Sequence, residues 1–256
     1  MSWKMEIPPQ ALENYELECQ MLCDFFPDNS SGTFVEIGSN HPVILNLTYP
    51  LEKLGWSGLL VEPIPELAQF LMSERKNTIV SQTACTSPSK VGAANFHITD
   101  SGGGNVDDLQ SFGTSSCLEK NIEDYGVQYG RTIQVECVTL KELLIRHNIG
   151  KFDLLIVDTE GTELDVLLGA DLTRQRPQLI LVEDRFYSLQ KHLFLRRSGY
   201  RLLRHFNWSS WYIPEESTLQ SEPLLNRLKV FRKMFLGLPF RKLKRWLEHG
   251  KSNRTG

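Results

Sequence analysis

TFVEIGSNHPVILNLTYPLEKLGWSGLLVE, residues 33–62, is the stretch on which the fold turns. Its opening, Thr33 to Gly38, is short, apolar and closed by a glycine, as expected of a strand covered on both faces in a parallel sheet. Val43 to Leu54 repeats apolar residues at the 3.6-residue period of a helix. Gly55-Trp56-Ser57-Gly58 interrupts it, and Leu59 to Glu62 reads as a second apolar strand. Strand, helix and strand in this order make a βαβ unit, so the two strands are predicted to run parallel.

Toward the N-terminus, residues 9–26 (PQALENYELECQMLCDFF) predict a helix packed on the core or covering a cleft, ended by PDNSSG. Toward the C-terminus the spacing predicts a helix from Pro65 to Arg75, strands Thr78 to Thr83, Ala93 to Ile98 and Thr132 to Val138, and a helix from Leu140 to Asn148. FDLLIVD at 152–158 and QLILVE at 178–183 are the most strand-like runs and flank a helix around Thr162 to Leu168. This alternation predicts a doubly wound α/β fold, a mostly parallel seven-stranded sheet with helices on both faces. After Glu183 a helix from Leu189 to Arg197 is followed by Tyr200 to Phe206, Asn207-Trp208 and Ser210 to Ile213. Strands joined so tightly must be antiparallel, so a hairpin closes the sheet. The expected organisation is an N-terminal helical extension over 1–32, an α/β domain over 33–215 and a basic amphipathic tail over 216–256.

With 41% hydrophobic and 23% charged residues, a disordered chain is excluded, and 256 residues suffice for one generous α/β core. MSWKMEIPPQ lacks a basic and apolar leader, and no apolar run approaches the roughly 18 residues of a spanning helix, so a cytoplasmic location is expected. Cys19, Cys23, Cys85, Cys117 and Cys137 form no CxxC pair and no spaced Cys/His set, which points to reduced thiols without a zinc site. The net charge of −3 hides a segregation: residues 221–256 hold ten Lys and Arg against Glu222 and Glu248 and carry +8, leaving −11 on the remainder. Leu224, Leu225, Leu228, Phe231, Phe235 and Leu236, then Leu243, Trp246 and Leu247, recur among these basic residues. That pattern suits either an anionic membrane surface or an acidic partner, or a helix docked on the acidic body. With no recognition module and an acidic body, nucleic acid is not an expected partner.

In open α/β sheets, ligands sit beyond the carboxyl ends of the strands, where Glu36, Glu62 and Asp158 are predicted to converge. Gly38 permits a tight turn and a close backbone approach, and an acid at Glu62 can accept hydrogen bonds from both hydroxyls of a ribose. Alternatively these acids only cap neighbouring helices. The first turn, Gly38-Ser39-Asn40-His41-Pro42, lacks the G-x-G-x-x-G that seats a pyrophosphate, which disfavours an NAD-dependent oxidoreductase and favours an adenosine ligand without pyrophosphate. LLIVDTEG at 154–161 is like the aspartate strand of nucleotidases, but no G-x-x-x-x-G-K-[ST] accompanies it.

Five blocks in order resemble the FkbM-type methyltransferases: FVEIGSN at 34–40, LEKLGWSGLLVEP at 51–63, VTLKELL at 138–144, FDLLIVDTEGTELDVLLGA at 152–170 and PQLILVE at 177–183. The resemblance implies a class I, Rossmann-like methyltransferase fold, which also carries a closing hairpin. It further implies S-adenosylmethionine as methyl donor and O-methylation of a hydroxyl on a glycan, glycolipid or secondary metabolite. Carried over, Glu36, Gly38 and Asn40 would form the loop under the methionine and ribose part of the donor, Glu62 would bind the ribose, and Thr83 and Ala84 would lie near the adenine. Asp158 and Glu160 match the family's acidic strand end beside the methyl group. The chain departs at Pro42, where the family commonly has glycine. Proline has no N–H and cannot adopt positive φ, so this loop must be shaped differently. A non-catalytic module with a degenerate site is the alternative.

Transfer from a sulfonium asks the protein mainly to align donor and acceptor and to deprotonate the hydroxyl. Asp158 is the first candidate for that task, the alternative being that it binds the donor's ammonium or caps a helix. Glu160 could share the task or cap a helix starting at Gly161. Glu183-Asp184 with Asp158 could supply oxygen ligands to Mg²⁺, although no metal is required. His97, His192 and His205 are possible bases or ordinary core and surface residues. Residues 99–118, with Asp107 and Asp108, read as an acceptor loop or a solvated insertion, and Arg185, Phe186 and Tyr187 could face an acceptor.

Overall fold

The computed structural model describes residues 9–26, 31–99, 115–116, 129–184, 187–223, 225–226 and 228–234. The chain divides into two compact units, one through Glu183 and one from Asp184. The first contains α1 (Pro9–Phe25), β1 (Thr33–Ile37), α2 (Thr48–Lys53), β2 (Ser57–Val61), α3 (Pro65–Glu74), β3 (Thr78–Ser81), β4 (Ala84–Cys85), β5 (Gly92–Thr99), β6 (Tyr129–Val138), α4 (Leu140–Arg146), β7 (Leu154–Val157), α5 (Glu163–Leu168), α6 (Leu172–Gln175) and β8 (Leu179–Glu183). The second contains α7 (Leu189–Arg197), β9 (Tyr200–Phe206) and β10 (Ser209–Pro214), and residues 225–226 and 228–234 are helical.

The main sheet has seven strands in the order β3-β2-β1-β7-β8-β10-β9, a Rossmann-like α/β arrangement. β1 pairs in parallel with β2 and β7, β2 with β3, and β7 with β8, while β9 and β10 form the antiparallel hairpin. The chain leaves β1 toward β2 and β3, then returns to β7 on its other side, so the strand order reverses at β1. Ligands of open α/β sheets bind at such a reversal. The central strands are buried almost end to end, β7 and β8 completely, as strands covered on both faces must be.

Residues 93–98 and 132–138, read from the sequence as strands, lie in a separate sheet ordered β4-β6-β5. Its strands alternate: Val135 and Cys137 are buried while Gln134 and Glu136 are exposed. One face alone is apolar, and Phe96, Ile98, Val135 and Cys137 cluster with Ile64 and Leu67 at the start of α3. Such half-covered alternation is that of an antiparallel pair, which β5 and β6 are.

The helix expected over 43–54 begins only at Thr48. Before it, Asn40 and Leu45 adopt φ of 49° and 55°, a left-handed conformation that no α-helix continues through. The backbone donors of this segment are taken by side chains. His41 Nδ1 accepts from Val43 N and Ile44 N, and Asn46 Oδ1 accepts from Thr48 N and Tyr49 N. Local side-chain acceptors have displaced helix hydrogen bonds. α1 packs here: Leu22 is buried, the Tyr15 hydroxyl donates to the Asn46 carbonyl at 3.0 Å, and Phe26 stacks edge-on against buried Trp56.

In the second unit helical residues 228–234 bury Val230 and Met234 and set Phe231 against His192. Lys233 Nζ donates to the Tyr187 hydroxyl at 2.8 Å. Leu225 and Leu228 are exposed. No described helix is long and apolar enough to cross a membrane. The tail beyond 234, Asp107, Asp108, Arg185 and Phe186 lie outside the described residues.

Candidate active site at the carboxyl edge of the sheet

β1 ends in a turn that only glycine fits. Gly38 has φ of 84°, and its N–H and that of Ser39 donate to the Val61 carbonyl at 2.9 and 3.2 Å. A β-carbon at Gly38 would lie 1.7 Å from the Asp158 carbonyl oxygen. The loops after β1 and β7 therefore touch through backbone at the point of strand reversal. Beyond Gly38, Asn40 N donates to Glu62 Oε2 at 2.9 Å, and Ile64 N donates to Glu62 Oε1 at 3.0 Å. The Glu62 carboxylate thus ties the loop after β1 to the loop after β2, and each oxygen retains a second lone pair.

Glu36 and Glu62 are both buried, and in each the loss of hydration pushes the carboxyl up to about 7. Around Glu36 the Arg75 charge opposes this most, followed by hydrogen bonds from Thr48 Oγ1 (2.7 Å) and Asn46 Nδ2 (3.1 Å). Both donors reach Glu36 Oε2. Oε1 accepts no hydrogen bond from the described residues. At Glu62 the two backbone N–H groups oppose burial, and the Glu36 charge adds to it.

Asp158 follows β7 directly, its N–H bonded to the Ile37 carbonyl at 2.9 Å and its side chain exposed. Glu160 adopts φ of 51°, and its carbonyl accepts from Ser116 Oγ at 3.0 Å. α5 begins at Glu163 rather than Gly161, and Glu163 Oε1 accepts from Gly161 N at 2.6 Å, so the carboxylate serving this turn is Glu163. Carboxylate oxygens of Asp158, Glu160 and Glu183 lie within 4.8 Å of one another, the oxygen chemistry of a hard divalent cation. The sequence grouped Asp184 with Asp158 and Glu183, but it is Glu160 that joins them. Asp184 accepts from Ser188 N and Ser210 Oγ and pairs with Lys191 at 3.3 Å. Thr83, between β3 and β4, and Ala84, the first residue of β4, are buried, with the Thr83 hydroxyl 3.1 Å from Ser81 Oγ.

The three histidines considered as bases are each engaged by a side chain of the fold. His97 bonds Thr132 across β5 and β6, His192 bonds Tyr212, and His205 bonds Ser210 within the hairpin while stacking on Tyr187. The sequence reading passed over Arg75, Asn46, Thr48, Glu52 and Glu163. Asn46-Leu47-Thr48 ahead of a helix is a capping signature and was legible. Nothing near Arg75 marks its role, since its partners lie 23 to 33 residues away.

A family model described as the methyltransferase FkbM domain matches residues 36–202. No curated protein matches the chain.

Proposed function

The chain belongs to the FkbM methyltransferase family, and from this premise we propose that it transfers a methyl group from S-adenosylmethionine to a hydroxyl oxygen of a glycan, glycolipid or secondary metabolite. The observation that carries the proposal is the pair of buried acids, Glu36 and Glu62, joined through the Gly38 turn where the strand order reverses. The residues present fit such a donor. Glu62 has lone pairs for two ribose hydroxyls, Glu36 Oε1 is an acceptor without a described donor, and the Gly38 turn has no side chain to obstruct a ligand. Thr83 and Ala84 would border the adenine, and Asn40 would lie along the ribose.

The bound donor would supply a methyl group on a sulfonium, an electrophile that needs no further activation because its sulfur–methyl bond would break to leave a neutral thioether. Asp158, exposed beside the loop, would orient the acceptor hydroxyl and take its proton as the oxygen–carbon bond forms, with Glu160 assisting.

The test is calorimetric titration with S-adenosylmethionine, S-adenosylhomocysteine and NAD, followed by a methyl-labelled donor with a panel of hydroxylated glycans. Saturable binding of both sulfur compounds, none of NAD, and label on an acceptor oxygen are expected. Absence of binding by either sulfur compound would leave the degenerate-site reading, and NAD binding would favour the oxidoreductase.

The proposal extends to the tail as a contact with an anionic bilayer. Val230 and Met234 are already covered, whereas Leu225 and Leu228 stand exposed beside exposed Lys229 and Arg232, and the segment carries +8. Vesicles containing phosphatidylglycerol are expected to sediment the protein, and pure phosphatidylcholine is not. Replacing Leu225 and Leu228 by Glu should weaken the association about tenfold or more. Equal recovery with both vesicle types would overturn this reading.

A further inference from the structure

Pro42 interrupts the loop after β1 with a residue that cannot donate a backbone hydrogen bond, yet the loop is closely held. The holding group comes from the residue that follows α3. Arg75 is 1% exposed, and its guanidinium donates to four acceptors: Glu52, the Pro42 carbonyl at 3.1 Å, Asn46 Oδ1 at 2.9 Å and Thr48 Oγ1 at 3.0 Å. Phe34 and Tyr49 lie within 5.8 Å of its central carbon. Two of the four acceptors pass the contact on. Thr48 Oγ1 and Asn46 Nδ2 both donate to Glu36 Oε2, and Asn46 Nδ2 also donates to the Ser39 carbonyl.

We propose that Arg75 is the positioning residue of the donor loop: acting through Asn46 and Thr48 it turns Glu36 so that Oε1 faces the ligand, and it holds the Pro42 carbonyl in place of backbone freedom that proline lacks. The inference rests on the donor-site reading above. A planar guanidinium is required because four acceptors in different directions must be met at once, which the single ammonium of lysine cannot do. The same contacts bias Glu36 toward its ionised form. The other titratable groups facing Glu36 are Asp158, Glu62 and Tyr15, and none of them is cationic.

Arg75→Lys is expected to weaken S-adenosylhomocysteine binding about tenfold or more, because charge is kept and the fork is lost. A buried arginine can be needed for folding, so the deciding variant is Thr48→Val, which is close in shape and removes one of the two links. It should weaken binding about fivefold to tenfold and move the pH midpoint of binding upward by about half a unit to one unit. Thr48→Ser, which keeps the hydroxyl, should restore both. Wild-type affinity and an unshifted pH profile in Thr48→Val would overturn the inference, as would a Thr48→Ser variant as weak as the valine one. Failure of the wild-type protein to bind at all would instead sink the donor-site reading, and this inference with it.

Discussion

Gly38→Ala is expected to destabilise the fold by about 3 kcal/mol or more and to abolish binding of an adenosine ligand. The added β-carbon would lie 1.7 Å from the Asp158 carbonyl oxygen and 2.8 Å from its carbon. Both are backbone atoms, so no side-chain rotation relieves the overlap. To make room, β1 and β7 would have to part where Asp158 N bonds to the Ile37 carbonyl, disturbing the turn that bonds to Val61. The φ of 84° adds the left-handed cost of an L side chain, about 1–2 kcal/mol. Urea unfolding with an unchanged slope would measure the first effect, and titration with S-adenosylhomocysteine the second. A variant within about 1 kcal/mol of the parent that still binds would mean that the two loops do not approach as described.

Glu62→Ala is expected to weaken binding of 5′-methylthioadenosine about a hundredfold, since two hydrogen bonds to a charged carboxylate are lost together with the tie between Asn40 and Ile64. The parent should also bind this ligand more tightly as pH rises from about 6 to about 8, where the ligand itself does not titrate. Burial holds the Glu62 proton to about 7, and ribose hydroxyls donating to the carboxylate favour its ionised form, so binding releases a proton below that pH. The slope should flatten above about 7 and shrink in Glu62→Ala. For folding the sign is opposite. A glutamate unfolds to a value near 4.5, so the folded state binds more protons between about 4.5 and about 7. The stability contributed by Glu36 and Glu62 is full below about 4.5 and is lost as pH rises through about 7. A ligand affinity independent of pH in the parent would show that Glu62 is ionised throughout or does not touch the ribose.

Several elements were legible because their signals are local. The apolar runs of β1, β2, β7 and β8 and the tight turn of the hairpin predicted parallel centre and antiparallel edge correctly. The start of α2 was misread because the apolar period of residues 43–54 is real, but Asn46 and His41 offer the backbone closer acceptors. β5 and β6 were legible as strands but their separate sheet was not, because it is marked by their packing on Ile64 and Leu67, residues distant in the chain. At the site, the acids stood out as residues closing apolar strands. The grouping of Glu160 with Asp158 and Glu183 did not, since it depends on a left-handed turn at Glu160.

By itself the sequence determined the parallel βαβ core, the edge at which its acids gather and the hairpin after Glu183, because side-chain period and apolar runs act within a few residues of themselves. Tertiary structure alone decided how the buried charges are met: Arg75 reaches Glu52, Pro42, Asn46 and Thr48 across 23 to 33 residues, and burial lifts Glu36 and Glu62 together. A charge removed from water must find its partners in space, and neighbours in space are set by the fold and not by the order of the chain.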